Sequence, residues 1–407
     1  MKRIAKAALR QVGLLLPPAR PGIAWLSVVA RIPTFLMSLA LVLFVRETGG
    51  TFAWAGTVSF SYVLGVTIAG PLVASSVAHF GPRYPMIITG VTFGLTTWLL
   101  VSSTSTETVG QMIAAIVVGT SLPPTIAVMR SGWASFRLNP SALQHAYVWE
   151  ATVSEVLAIV SPALLGLLMF IGSAGQALTL TALVGGAAAI AVGILSPSVS
   201  QDTFKTEKTG LALLAPLTSW KFVSLLVTMA MSASALGFTL IGITFFTESE
   251  GAIDSTGVIY SAWGLGSIVG ILLFGKSRTL ARPSAYPILL LAFAAGVALP
   301  ALASTSAKLV LLLVFSGLPL ALISAAELSL VQLTSPGKYL PVAFTWASTA
   351  GLLGEGLGTQ LAGWFAPQLS SPSLLFLFGS IVALASALVG WLLVSRLRRE
   401  SDFGNDT

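Results

Sequence analysis

Roughly twelve apolar stretches of about 20 residues each occupy most of this chain. A helix of that length crosses a bilayer core of about 30 Å while satisfying its own backbone hydrogen bonds. The chain is therefore expected to be an all-α polytopic membrane protein. Composition agrees, because 9% of its 407 residues are charged, against about 25% in soluble domains. Hydropathy places the spans at 22–45, 54–78, 86–105, 108–129, 145–171, 174–196, 220–247, 255–275, 285–304, 308–333, 340–366 and 373–395. Nothing between them is long enough to fold as a separate soluble catalytic domain. With no cysteine and with two histidines, His79 and His145, disulfides, thiolate sites and most metal centres are excluded.

The net charge of +7 is explained by orientation rather than by nucleic acid. With the N-terminus placed in the cytoplasm, 18 of the 21 basic residues fall on inner segments. Arg46 and Lys308 fall outside, beside Glu47, Glu107, Glu248, Glu250 and Asp254, and Arg31 falls within a span. This is the positive-inside pattern, and it predicts a multi-pass protein of the cell membrane with both termini cytoplasmic. The basic residues 1–21 precede a run long enough to span, without a small-residue cleavage site, so the first span is expected to be retained.

The chain also resembles itself. Ala146-Tyr147-Val148-Trp149 recurs 197 residues later as Ala343-Phe344-Thr345-Trp346, and the same offset carries Gly166 to Gly363 and Arg130 to Glu327. Ser61, Thr67, Ile68 and Gly70 meet Ser261, Ser267, Ile268 and Gly270 at an offset near 200. A six-plus-six duplication follows, as in many transporters. The expected organisation is a basic tail 1–21, a first half 22–196, a central cytoplasmic linker 197–219 with Lys205, Glu207 and Lys208, a second half 220–395 and a tail 396–407.

Particular residues then resemble the major facilitator superfamily, and within it bacterial efflux permeases. They are Arg31-Ile32-Pro33; Pro123-Pro124 followed by Arg130 and Trp133; Ala146-Tyr147 with Glu150 and Glu155; Trp263-Gly264-Leu265-Gly266-Ser267; and Ala343-Phe344-Thr345-Trp346 followed by Gly354, Gly358 and Gly363. The resemblance covers essentially the whole chain and implies two six-helix halves around a central cavity. The superfamily's Asp-Arg-x-Gly-x-Arg loop after span two reads Ala78-His79-Phe80-Gly81-Pro82-Arg83 here, keeping Gly81 and Arg83. Its antiporter pattern in span five is half kept, as Ser161-Pro162-Ala163-Leu164-Leu165-Gly166.

Ionisable residues inside spans carry the chemistry, because an unpaired charge there costs several kcal/mol. Arg31 and Glu155 lie at a common depth of about 14–15 Å, at 1.5 Å per residue, and are expected to pair. Either the pair is a static tie between helices or its carboxylate exchanges protons and partners during transport. Glu355, within Gly354-Glu355-Gly356, is a second coupling candidate. Arg130, Glu150, Glu327 and Arg83 are expected to form a cytoplasmic gate, through Arg130-Glu150 or Arg130-Glu327 contacts, or else to anchor the interface. Tyr62, Trp149, Trp263 and Trp346 occur on helices that border the cavity in the resembling fold, and are expected to offer cation-π surfaces.

Two patterns are misleading. Gly270 to Ser277 satisfies the phosphate-loop expression, but it forms the apolar end of span eight rather than a strand-to-helix turn, which excludes a nucleotide. Asn405-Asp406-Thr407 satisfies the glycosylation pattern on a tail expected to be cytoplasmic. The expected function is secondary transport, proton-coupled export of small amphipathic or cationic molecules by a monomer without cofactor. Four intramembrane Glu against one Arg favour cations. The alternatives are a proton-coupled importer of a sugar or metabolite and a non-transporting scaffold or sensor; no nucleophile-base pattern points to an enzyme.

Overall fold

The computed structural model describes residues 17, 19–102, 109–136, 138–196, 215–275, 277, 283–335 and 339–404. The expected linker falls mainly outside these residues, as does most of the basic N-terminal tail. The described chain is helical, in two halves of six membrane helices. The first half comprises α1 (Pro21–Glu47), α2 (Phe52–Phe80), α3 (Arg83–Ser102), α4 in two pieces (Val109–Thr120 and Thr125–Ser135), α5 (Pro140–Ile171) and α6 (Ala174–Leu195). The second comprises α7 (Trp220–Ser249), α8 (Thr256–Phe274), α9 (Tyr286–Ala298), α10 in two pieces (Ser306–Gly317 and Leu320–Thr334), α11 (Leu340–Phe365) and α12 (Ser373–Gly404). Among the described residues, ten helical stretches are long and apolar enough to cross a membrane unaided. The other two of the twelve helices are α9, a shorter apolar helix that a 3-10 turn prolongs to Leu302, and the glycine-rich α11.

The duplication reappears as matched packing. In the first half α6 packs on α1 and α3, and α2 on α4; in the second α12 packs on α7 and α9, and α8 on α10. Small residues allow the α2–α4 and α8–α10 crossings to close. A Cβ at Gly65 would stand 2.2 Å from the Ile116 carbonyl oxygen, and one at Gly119 would stand 2.1 Å from that of Tyr62. The corresponding glycines, Gly266 and Gly317, meet the carbonyls of Val314 and Trp263, each at 2.1 Å. Both α4 and α10 break in mid-course, at Ser121-Leu122-Pro123-Pro124 and at Leu318-Pro319, because proline lacks the amide hydrogen that a continuous helix requires.

Among the described residues the halves meet chiefly at two crossings, α2 with α11 and α5 with α8. Both lie toward the end of the bundle opposite the chain termini. There Gly56 sits against Thr359, Gly363 against Phe52, and Gly166 against Gly257 and Val258. Toward the other end the contacts run out after Gly356 against Phe60 and Val63, and after Gly264 against Ile159. Beyond those points Gly70 and Gly351 have nothing within 4 Å of a built Cβ, and Thr345, Ser348 and Leu352 on α11 are exposed. The bundle is closed at one end and splayed at the end that carries both termini.

Candidate functional site

The closed end is fastened by side chains as well as by packing. Arg46, in the last turn of α1, forms a two-pronged ion pair with Glu248 in the last turn of α7; Nε donates to Oε2 at 2.9 Å and Nη2 donates to Oε1. Its Nη1 donates to the Gly50 carbonyl, and its guanidinium stands 4.0 Å from the centre of the Phe52 ring. Phe52 packs in turn on Phe245 of α7, ring centres 5.2 Å apart. A second polar tie joins the halves deeper in, where Gln360 Nε2 donates to Thr57 Oγ1 at 3.2 Å. From sequence alone Arg46 and Glu248 are charges of the outer segments. Their opposite signs at the ends of spans one and seven, which the duplication makes equivalent, were the signal available for finding this latch.

Arg31 is completely buried, and its partner is Glu150 rather than the expected Glu155. Nη2 lies 2.9 Å from Oε1 and 2.6 Å from Oε2, while Trp133 Nε1 donates to Oε1 at 2.8 Å. The reason is rotational. Glu150 and Glu155 are five residues apart, which turns them about 140° from one another around α5. Glu150 projects toward α1 and α4, and Glu155 projects away from them. The pair ties three helices of the first half together inside an aromatic shell, in which Trp149 meets Trp25 and Trp133 edge-on. Arg31 Nε and Nη1 have no hydrogen-bond partner among the described residues.

Glu155 instead continues the stripe by which α5 meets α8. That stripe runs Gly166, Pro162, Ile159 and then Glu155, at the spacing of a single helix face. The first three positions touch α8, and Glu155, the first beyond the contact, is exposed. It faces the cleft between the halves. Glu355 on α11 is half-buried near the blind end of the same cleft. It projects between the positions that meet α2, Gly356 and Thr359, and those that meet α7, Gly354 and Gly358. On the opposite side of α11, Leu357, Leu361 and Trp364 are exposed in the manner of lipid-facing residues. Tyr260 of α8 lies within electrostatic reach of the Glu355 carboxylate and packs edge-on against Trp263.

The expected gate residues are not drawn together. Glu150 is engaged by Arg31 and Trp133, and Glu327 accepts a hydrogen bond from Tyr286 of α9 at 3.0 Å, within its own half. Arg130 is exposed on α4, and Arg83 is exposed at the start of α3. Neither Arg130-Glu150 nor Arg130-Glu327 pairs in this splayed state. Gly81 ends α2 with φ +74°, a conformation that disfavours any residue with a Cβ. The aromatic residues also differ from expectation, because large rings fill helix crossings before they line clefts. Trp149 and Trp263 are buried within their halves, Trp263 stacking on Phe293 and donating to Ser316 Oγ at 3.1 Å. Tyr62 is buried at the α2–α4 crossing, and Trp346 is half-buried on the lipid-facing side of α11. Phe60 and Tyr260 stand nearer the cleft.

No family model and no curated protein matches the sequence. The fold is matched by solved transporters. The nucleoside transporter NupG superposes with a TM-score of 0.73 at 13% identity over 91% of this chain and 98% of its own. A variant of the peptide transporter POT gives 0.69 at 14% identity over 96% and 95%. A bacterial homologue of the human lysosomal transporter Spinster, solved inward-facing and occupied, gives 0.65 at 16% identity over 93% and 98%. The chain shares the all-helical fold of these solved transporters.

Proposed function

We propose that this protein is a secondary transporter that works by alternating access, coupling proton movement to export of small amphipathic or cationic molecules across the cell membrane. One observation carries the reading. The face that joins the halves gives way, one turn further along, to an exposed carboxylate, Glu155, and a second carboxylate, Glu355, stands near the blind end of the same cleft. Two acids between apolar walls suit a positively charged or protonatable guest, and they offer sites at which a proton and a cation compete. With the basic loops taken as cytoplasmic, the cleft opens inward and the Arg46–Glu248 latch closes the outside.

In this mechanism a cytoplasmic substrate enters the cleft and displaces protons from the carboxylates. The halves then rock about the α2–α11 and α5–α8 crossings, the latch separates, and substrate leaves as protons enter from outside. Arg31–Glu150–Trp133 lies within one half and moves as part of a rigid body. Inverted membrane vesicles test the proposal. A proton gradient should drive a cationic amphiphilic dye across the membrane, and the movement should collapse with an uncoupler. Vesicles that move no such dye, from cells that take up a neutral solute through this protein, would contradict it.

A further inference from the structure

Most acids of the membrane spans are already engaged. Glu47 accepts from the Ala174 amide at the start of α6, Glu150 pairs with Arg31, Glu248 with Arg46, and Glu327 accepts from Tyr286. Among the described residues of the spans, Glu155 and Glu355 remain without a hydrogen-bond or ion-pair partner. They belong to opposite halves and face the one cleft. Their separation follows from the α5–α8 contacts. Tyr260, within electrostatic reach of the Glu355 carboxylate, stands one turn on the closed side of Gly264. Gly264 meets Ile159, and Glu155 lies one turn beyond Ile159 toward the splayed end. Because α5 and α8 run antiparallel, the two steps add to eight residues, about 12 Å along the bundle axis at 1.5 Å per residue. Between these levels the walls are apolar, with Leu64 one turn beyond Phe60 on α2 and Leu352 one turn beyond Gly356 on α11. At the blind end Phe60, packed against Gly356, and Tyr260 put aromatic rings beside the cleft.

A guest with one charge satisfies one carboxylate and leaves the other bare. A charge in the middle of a guest's chain would sit against Leu64 and Leu352 with no partner, which costs free energy. We propose that the preferred substrate is a linear dication, an apolar chain with a cationic group at each end, one end on Glu355 beside the Phe60 and Tyr260 rings and the other on Glu155. This names the substrate class of the transporter proposed above and rests on that reading. Each bound charge displaces one proton, so exchange of one dication for two protons moves no net charge. The bound chain also ties the first half to the second across the open cleft and covers the leucines between the two acids.

Isothermal titration of the full-length protein in phosphatidylcholine nanodiscs, corrected with empty discs, tests the proposal. The probes are decane with a trimethylammonium group at each end, hexane with the same two groups, and decane with one. The decane dication should bind at least about tenfold tighter than either of the others, the weight of one further desolvated charge pair. Glu155→Gln should erase that advantage and leave the affinity of the monocation unchanged, while Glu355→Gln should weaken both. Equal affinity of the decane dication and the monocation for wild type would overturn the proposal, as would an advantage that survives Glu155→Gln. The wild-type comparison decides the matter even if a variant does not fold. Movement of the same probes in inverted vesicles separates this proposal from the reading on which it rests. A monocation driven by the proton gradient, with no advantage for the dication in binding, removes the dication and leaves the transporter. A dication bound tenfold tighter, when no cation is moved, removes the transporter and leaves the site.

Discussion

Glu150 and Glu155 share a helix and a membrane depth range, yet they belong to different chemistries. Depth was legible in the sequence, since counting residues from the start of a span places each charge along the membrane normal. Rotation around the helix was not, because spans apolar on nearly every side do not reveal which face meets which neighbour. The structure supplies that angle and assigns Glu150 to Arg31. Removing either partner leaves a buried charge unpaired, so Arg31→Ala and Glu150→Ala should each cost about 3–5 kcal/mol. The double variant should lose much less than the sum, read as thermal unfolding in detergent. Glu155→Ala should add independently to Arg31→Ala. Strong coupling of Arg31 to Glu155 in such a cycle would contradict the geometry.

The helices themselves were largely legible. Their apolar lengths, the repeat at an offset near 197 and the in-span prolines anticipate twelve crossings, and α4 and α10 both break at prolines. What the pattern conceals is which glycines carry a crossing and which merely occur in one. Gly119→Val and Gly317→Val, at equivalent crossings, should each destabilise by about 1–3 kcal/mol through overpacking. Gly351→Val, in open space, should be silent in the same melt. The latch belongs to this scale too. A partly exposed ion pair contributes about 0.2–1 kcal/mol, so Glu248→Gln should raise the outward-open population up to about fivefold. A cysteine at Gln360 should then react faster with a reagent added outside, and the charge swap Arg46→Glu with Glu248→Arg should restore the slower rate.

At the scale of the whole molecule, the distribution of basic residues sets which side of the membrane each loop should occupy. Cysteines placed singly at Ser249 and Ser371 should label from outside in intact cells, and those at Ser141 and Ser284 should not; the reverse pattern would invert the cleft and make the splayed end extracellular. The central claim is narrower: that the carboxylate lying just beyond the α5–α8 contact couples proton flow to substrate movement. The direct measurement compares wild type with Glu155→Gln in proteoliposomes, following cationic dye movement under an imposed pH gradient and dye-for-dye exchange without one. The substitution keeps the side-chain volume and removes the titrating group, so gradient-driven transport should vanish while exchange and binding persist. Full gradient-driven transport by Glu155→Gln would contradict the account.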